Sequence, residues 1–449
     1  MQFKKTKEYM EELLLAIQND DALWIKEHLE CLHFADIADI LEGLDIDQAK
    51  YVYYCLDEDT QADVLMEFEE HVRDRFISKL TSKEIAEQLE NLDSDDAADI
   101  LGEFEDHKIQ EVISHMEDDD AAEDIVDLLN YDDDTAGGLM QKEFIQARVD
   151  WPVDRCLVEL RRQAKDVEKV YTIYVVDLQN KLMGVLSLKS LLFAKPKTKV
   201  SELYNSKNVI SVKTTDSSET VAKVMEKYGL VAIPVVDFQN KLVGRITIDD
   251  VVDIIKEEAD KDFQMASGLS ENVEPQSSIW KTSRARLLWL FIGMLGGTFS
   301  AHVISNYEIN IGKIPALAFF IPLITAMGGN VGVQSSAIVV QSLAKGADFS
   351  NISGKLLKEA LVGLLNGVIC SSIILGIATV LSNFQLGITV SLSLLIVIIF
   401  AAVAGSFVPL VLNKYKIDPA LATGPFVTTL NDIIGLFIYF TVGTLLIGI

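Results

Sequence analysis

Gly424-Pro425-Phe426-Val427-Thr428-Thr429-Leu430-Asn431-Asp432-Ile433-Ile434-Gly435 lies inside the last apolar segment of the chain, and its one carboxylate decides how the rest is read. An ionised side chain at membrane depth costs roughly 3 kcal/mol or more. No Lys or Arg within a neighbouring span offers to neutralise Asp432. A charge so placed needs a partner, and the natural partner is a cation in transit.

Working outward, five apolar segments (287–304, 314–343, 361–381, 388–412 and 423–447) are each long enough for a bilayer crossing, which takes about twenty residues. Lys281, Arg284, Arg286, Lys345, Lys355, Lys358, Lys414 and Lys416 fall on one side of these spans and only Lys313 on the other. Basic loops stay in the cytosol, so the N-terminus is expected there and the C-terminus outside. The second span is unusual: Pro322 is expected to interrupt it, and Met327-Gly328-Gly329-Asn330-Val331-Gly332-Val333-Gln334-Ser335-Ser336 is polar and glycine-rich. Irregular backbone at that depth is tolerated where it lines protein or water, and small residues also serve close helix packing. Asn330 and Gln334 are four apart and share a helical face, which favours a polar path. Gly424-Pro425 is expected to break the fifth span in the same way. Five spans enclose a pore poorly, so a homodimer with the path on its two-fold axis is expected. Two facing Asp432 carboxylates would repel strongly, so that one keeps its proton or a divalent cation stands between them. The residues alone reach a divalent-cation pathway.

Charge divides the chain sharply. From Trp280 onward there are nine Lys and Arg against five Asp and Glu; before it there are 30 against 62, within a total net charge of −28. Such an acidic part repels nucleic acid and anionic membrane surfaces and attracts divalent cations, although a solubilising surface has the same composition. The four cysteines (Cys31, Cys55, Cys156, Cys370) show no paired or metal-type spacing, so reduced thiols are expected. The first residues form a charged, helix-like stretch without a cleavable apolar core, so the acidic part is expected to stay in the cytosol.

Residues 1–130 carry a period of twelve. Leu44, Leu56, Phe68, Leu80, Leu92, Phe104, Met116 and Leu128 recur at that interval, with apolar pairs such as Ile40-Leu41, Val52-Tyr53 and Val64-Leu65 ahead of them. Asp45, Asp57, Glu69, Asp93, Glu105 and Glu117 follow the markers, as suits a helix start. About two helical turns cannot bury a face alone, so stacked units sharing one core are expected: an acidic α-helical solenoid. The runs at 93–99 and 117–120 contain no EF-hand loop. They suit a weak divalent site completed by a second acidic surface.

A second repeat has a period of sixty. Tyr174-Val175-Val176-Asp177-Leu178-Gln179-Asn180-Lys181-Leu182-Met183-Gly184 aligns with Pro234-Val235-Val236-Asp237-Phe238-Gln239-Asn240-Lys241-Leu242-Val243-Gly244, each reading as strand, turn and strand before a helix. This resembles a tandem pair of CBS modules, at 131–200 and 201–260, which in that family commonly bind adenosine nucleotides such as ATP. Their Gly-x-x-Ser/Thr-x-x-Asp run stands here as Gly244, Thr247 and Asp250; the first copy ends in Ser190 where the Asp belongs, so one site at most is complete. Capping of the next helix by Thr247 and Asp250 is the structural alternative. An acidic, amphipathic connector follows. Its plug-like helix is placed at 261–286, ahead of the transmembrane domain at 287–449.

Domain order, the Asp134-Thr135-Ala136-Gly137-Gly138-Leu139-Met140 junction, Pro322 with the glycine-rich run, and Asp418-Pro419-Ala420 leading to Asn431-Asp432 together resemble the MgtE family of magnesium channels and transporters. The resemblance implies a homodimeric Mg²⁺ channel in the plasma membrane. It assigns the pore to Asp432, Asn330, Gly328, Asn431 and Thr428. It also implies regulatory Mg²⁺ between the acidic domain, the CBS pair and the connector, held by Asp95, Asp96 and Asp99 facing Asp250, with Asp253, Glu257, Glu258 and Asp262 near the membrane mouth. Lys261 stands where relatives carry another acid. Cytosolic Mg²⁺ would then close its own pathway. An ion-coupled secondary transporter and a membrane-tethered CBS nucleotide sensor are the competing readings. An enzyme is not expected, because no nucleophile–base set, phosphate loop or zinc spacing is present.

Overall fold

The twelve-residue period is one short helix and its turn. The computed structural model describes residues 3–447 except 166, 168, 208, 271–272, 274–276, 345–351 and 423. Lys345, counted above among the basic loop residues, and Thr423, the expected start of the fifth span, lie outside the described residues. The first part of the chain forms α1 (Lys7–Gln18), α2 (Ala22–Leu29), α3 (Phe34–Glu42), α4 (Ile46–Tyr53) and α5 (Glu58–Glu67). It continues with α6 (Glu70–Ile77), α7 (Ser82–Leu89), α8 (Ser94–Gly102), α9 (Asp106–Ile113) and α10 (Asp119–Leu128). The markers from Leu44 to Met116 fall where α3 to α9 end, and Leu128 closes α10.

Asp45, Asp57, Glu69, Asp93 and Glu105 take the cap positions, and Asp118, next to Glu117, takes that of α10. The first turn of a helix leaves backbone N–H groups unpaired, and Asp45, Asp57 and Asp118 pair some of them. Asp45 accepts from the N–H of Asp47 and Gln48, and Gln48 completes a capping box. Asp57 accepts from Thr60 N at 3.0 Å. Asp93, at the same position before α8, makes no cap bond, which leaves its carboxylate for other partners. Ile40, Leu41, Val52, Tyr53, Val64, Leu65, Phe76 and Ile77 are buried in one shared core, as stacked helices require. That core continues through Val212, Val221, Met225, Ile233, Val235, Ile246 and Val251 of the second α/β module.

The first module is β1 (Ile145–Arg148), α11 (Val153–Gln163), β2 (Ile173–Val176), β3 (Leu182–Leu186) and α12 (Leu188–Leu192). The second is β4 (Val212–Lys213), α13 (Ser218–Tyr228), β5 (Ala232–Val236), β6 (Leu242–Thr247) and α14 (Ile248–Ala266). In each, the first two strands run parallel and the second pair forms an antiparallel hairpin. Asn180 and Asn240 turn these hairpins with φ of 64° and 65°, a conformation asparagine tolerates better than most residues. The two turns bond each other: Leu182 N donates to Asn240 O and Leu242 N to Asn180 O, both at 3.0 Å. The sixty-residue repeat is thus a pseudo-two-fold pair.

The connector is not a separate helix at 261–286. Module two runs without a break through α14 to Ala266, Gly268 follows at φ 84°, and the next helix starts at Ile279.

The chain divides into two units, 1–255 and 256–449. The second contains α15 (Ile279–Asn306), α16 (Glu308–Lys313), α17 (Ile321–Ala344), α18 (Ile352–Leu381), α19 (Phe384–Lys414) and α20 (Pro425–Ile447). Among the described residues five helices are long and apolar enough to cross a membrane, at 279–306, 315–344, 352–381, 384–414 and 425–447. Pro322 does not interrupt its span. A 3₁₀ turn (Pro315–Phe320) leads into α17, and Pro322 sits in the first turn, where the missing N–H costs nothing. The glycine-rich run is continuous α-helix. Gly424, at φ 58°, and Pro425 likewise start α20 and do not break it.

Candidate cation groove and acidic cluster

One stripe of α17 meets α20 in an open groove of about 520 Å³. Pro322, Thr325, Gly329, Asn330 and Gln334 line it from α17, and Thr428 and Asp432 from α20. Their spacing of three and four residues is one helical face. Gly329 lets the helices close: a Cβ there would stand 3.1 Å from Thr428 Cγ2 and 3.9 Å from Asp432 Oδ1. Thr428 Oγ1 donates to Gly424 O at 2.9 Å, which turns its lone pairs outward. The groove therefore presents a carboxylate, two amide side chains and two hydroxyl oxygens. These are the hard oxygen ligands that Mg²⁺ accepts beside its retained waters.

Gly328 and Asn431, expected with this set, lie behind it. A Cβ on Gly328 would stand 3.1 Å from Val397 Cγ1 of α19. Asn431 is 1% exposed and packs where Gly332 has no side chain. Thr325, Gly329 and Gln334 were absent from the expected set, although the four-residue spacing of Asn330 and Gln334 pointed to the last of them. A further carboxylate was missed. Glu359, on the first part of α18, accepts a 3.2 Å hydrogen bond from the buried Ser335 of α17.

The second site lies where the helical array shares its core with module two. Asp95 is 6% exposed, and its Oδ1 finds no hydrogen-bond partner among the described residues. Burial first, then the charges of Asp96, Asp250, Asp93 and Glu143, push its carboxyl well above the usual range. The same two causes push Asp96 up to about 7, with Asp250 the largest neighbouring charge. Asp99, at the solvent edge, is pushed up to about 6 by partial burial and then by Asp133. Asp250 is raised by burial, against hydrogen bonds from Thr247 that lower it. The structure therefore brings Asp95, Asp96, Asp99 and Asp250 together, and adds Asp93 and Glu143 from outside the expected set. No motif signals Glu143. Among the described residues no group of three or more His, Cys, Asp or Glu side chains is arranged to ligate one metal ion directly. The cluster is an excess of negative charge, not a finished cage.

Asp253, Glu257, Glu258 and Asp262 follow along α14, and Glu258 pairs with Lys261 at 3.2 Å. Thr247 donates to Asp250 Oδ2 from Oγ1 at 2.7 Å and from N at 3.1 Å. The carboxylate offered to a ribose is thus already capping α14 and facing the acidic cluster.

Five membrane-length helices, a carboxylate carried into a polar groove, and an acidic helical array joined to paired α/β modules define a multi-pass membrane transporter of divalent cations. Family models match in that order: the MgtE intracellular N domain over 32–134, the CBS domain over 136–197 and 200–257, and the MgtE divalent cation transporter over 321–442. The chain belongs to the MgtE family of magnesium transporters, and Mg²⁺ is the ion it carries. The magnesium transporter MgtE of Enterococcus faecalis is 36% identical over 323 residues, covering 72% of this chain and 71% of that protein. That of Thermus thermophilus is 37% identical, covering 71% and 72%. Among solved structures, the soluble part of a magnesium transporter aligns with a TM-score of 0.52 at 29% identity, covering 57% of this chain and 100% of that one. The cytosolic domain of the Mg²⁺ channel MgtE in complex with ATP aligns with a TM-score of 0.51 at 34% identity, covering 55% and 99%.

Proposed function

We propose that the chain is a homodimeric Mg²⁺ channel of the plasma membrane, N-terminus in the cytosol, that imports Mg²⁺ and is closed by Mg²⁺ gathering at the acidic cluster. The observation that carries this reading is the course of α14. Its first turn holds Asp250, a member of the cluster. Its last residue, Ala266, lies with its carbonyl against Gly424, and a Cβ on Gly268 would stand 3.0 Å from Pro425 Cγ, at the start of the helix that bears Asp432. The same helix thus carries Asp250 at its start and, at its end, the residue that meets the first turn of α20.

At low Mg²⁺ the crowded carboxylates repel and favour separation of the acidic domain. A divalent cation, held through its waters, neutralises them and favours the compact state, and a ligand shifts such an equilibrium only by binding one state better. In the dimer two Asp432 carboxylates face one cation, which passes between Asn330, Gln334 and Thr428 oxygens with part of its water shell. The relative solved with ATP supports an adenosine nucleotide at the CBS pair, where Thr247 and Asp250 would have to exchange their mutual cap for ribose hydroxyls.

Limited proteolysis of the full chain in detergent, with and without Mg²⁺, tests the gating. Protection of residues 1–130 by millimolar Mg²⁺ is the expected result, and equal cleavage in both conditions sinks it.

A further inference from the structure

Asp432 enters the groove, while its neighbour Asn431 does not. Successive residues of an α-helix point about 100° apart, so α20 presents Asp432 and Thr428 at one rotation only. Something must set that rotation.

Asn431 sits at the contact. It is 1% exposed, and a Cβ on Gly332 of α17 would overlap its Nδ2 while standing 2.8 Å from Val427 Cγ1. The absence of a side chain at Gly332 is thus a notch that the amide fills. The notch itself is backed: the Gly332 carbonyl oxygen lies directly against Gly405 of α19, where a Cβ would collide with it. Among the described residues neither amide atom of Asn431 finds a hydrogen-bond partner. A buried amide left unpaired works against the fold, so stability does not account for the residue.

We propose that Asn431 is a positioning residue for the groove carboxylate: seated in the Gly332 notch, it holds α20 at the rotation that turns Asp432 into the groove. This rests on the reading of Asp432 as the group that binds the passing ion.

The full chain, reconstituted in liposomes with an entrapped Mg²⁺ indicator and assayed over a range of external Mg²⁺, tests it. Asn431→Ala is expected to raise the half-saturating Mg²⁺ concentration about tenfold, because a misplaced ligand binds less well. Its unfolding temperature in detergent is expected to stay level or rise. Gly332→Ala, which fills the notch, is expected to impair transport in the same way. The pair Gly332→Ala/Asn431→Ala is expected to recover, since the new methyl takes the room the amide leaves. Misfolding removes active molecules without changing half-saturation in those that remain, so this readout separates positioning from packing. An unmoved half-saturation in Asn431→Ala, or a pair that fares worse than Gly332→Ala, overturns the proposal. If Gly332→Ala does not fold, Asn431→Ala decides alone. Asp432→Asn run alongside separates the two readings. Unimpaired flux there removes the ion-binding reading itself, whereas lost flux there with Asn431→Ala unmoved removes only the positioning role.

Discussion

Arg245 donates a 2.6 Å hydrogen bond from Nε to Oε1 of Gln141, 104 residues away, with both side chains buried. Arg245 Nη1 also donates to Lys169 O at 3.1 Å, and the guanidinium lies 5.8 Å from the Tyr171 ring centroid. The other end of the Gln141 amide donates to Asp95 and Asp93 at 3.4 Å each. A neutral amide thus stands between a buried cation and the acidic cluster. It gives the guanidinium an acceptor and two of the carboxylates a donor.

Gln141→Leu is expected to destabilise the first unit by about 2–4 kcal/mol, since it strips an acceptor from a buried guanidinium and a donor from buried carboxylates. Hydrogen exchange along β6 and α8 in the full chain measures this. Exchange as slow as in the wild type would show the relay to be dispensable.

The acidic cluster makes stability depend on pH. In the unfolded chain its carboxyls ionise near pH 4. In the folded chain burial and neighbouring charge hold protons on Asp96 up to about 7 and on Asp99 up to about 6. Between those limits the folded state binds more protons, so stability falls as pH rises. Without Mg²⁺, the first unit is expected to melt at a higher temperature at pH 5.5 than at pH 7.5. Millimolar Mg²⁺ should flatten that difference, because it supplies the missing positive charge. Scanning calorimetry at the two pH values, with chelator and with Mg²⁺, gives the answer.

Asp432→Asn is expected to lower Mg²⁺ flux at least about tenfold, a loss of about 1.4 kcal/mol or more in the interaction with the ion. The side chain is nearly isosteric, so α20 should still pack against α17. Liposome flux together with the unfolding temperature checks both halves of the statement.

Glu359 tethers α18 to the groove helix through Ser335, which is 6% exposed. Glu359→Gln retains an acceptor and should be tolerated. Glu359→Leu leaves a buried hydroxyl unpaired, at a cost of roughly 1–3 kcal/mol. A lower unfolding temperature in the leucine variant only is the expected pattern.

Much of this protein is legible along the chain because it is local. The twelve-residue period is a helix length plus a turn, and capping acids mark its starts. The sixty-residue repeat is a hairpin whose asparagines tolerate the turn they make. Spans announce themselves by length and apolarity. Local signals misled where proline and glycine have two uses. Pro322 and Gly424-Pro425 read as breaks within spans, but in both places the chain uses them to begin a helix.

By itself, then, the sequence determined five membrane spans, an acidic array of short helices, a duplicated α/β module and a carboxylate at membrane depth. These follow from hydrophobic periodicity and charge, which act over a few residues. Tertiary structure alone decided which oxygens share a site. Asp93 and Glu143 join Asp95 and Asp250 because the helical array and the second module bury one core together, and Gln141 meets Arg245 across it. It also decided that Asp432 faces the groove while Asn431 fills the notch at Gly332. Helical periodicity relates those two neighbours to each other, but only the close approach of α17, backed by α19, selects the rotation.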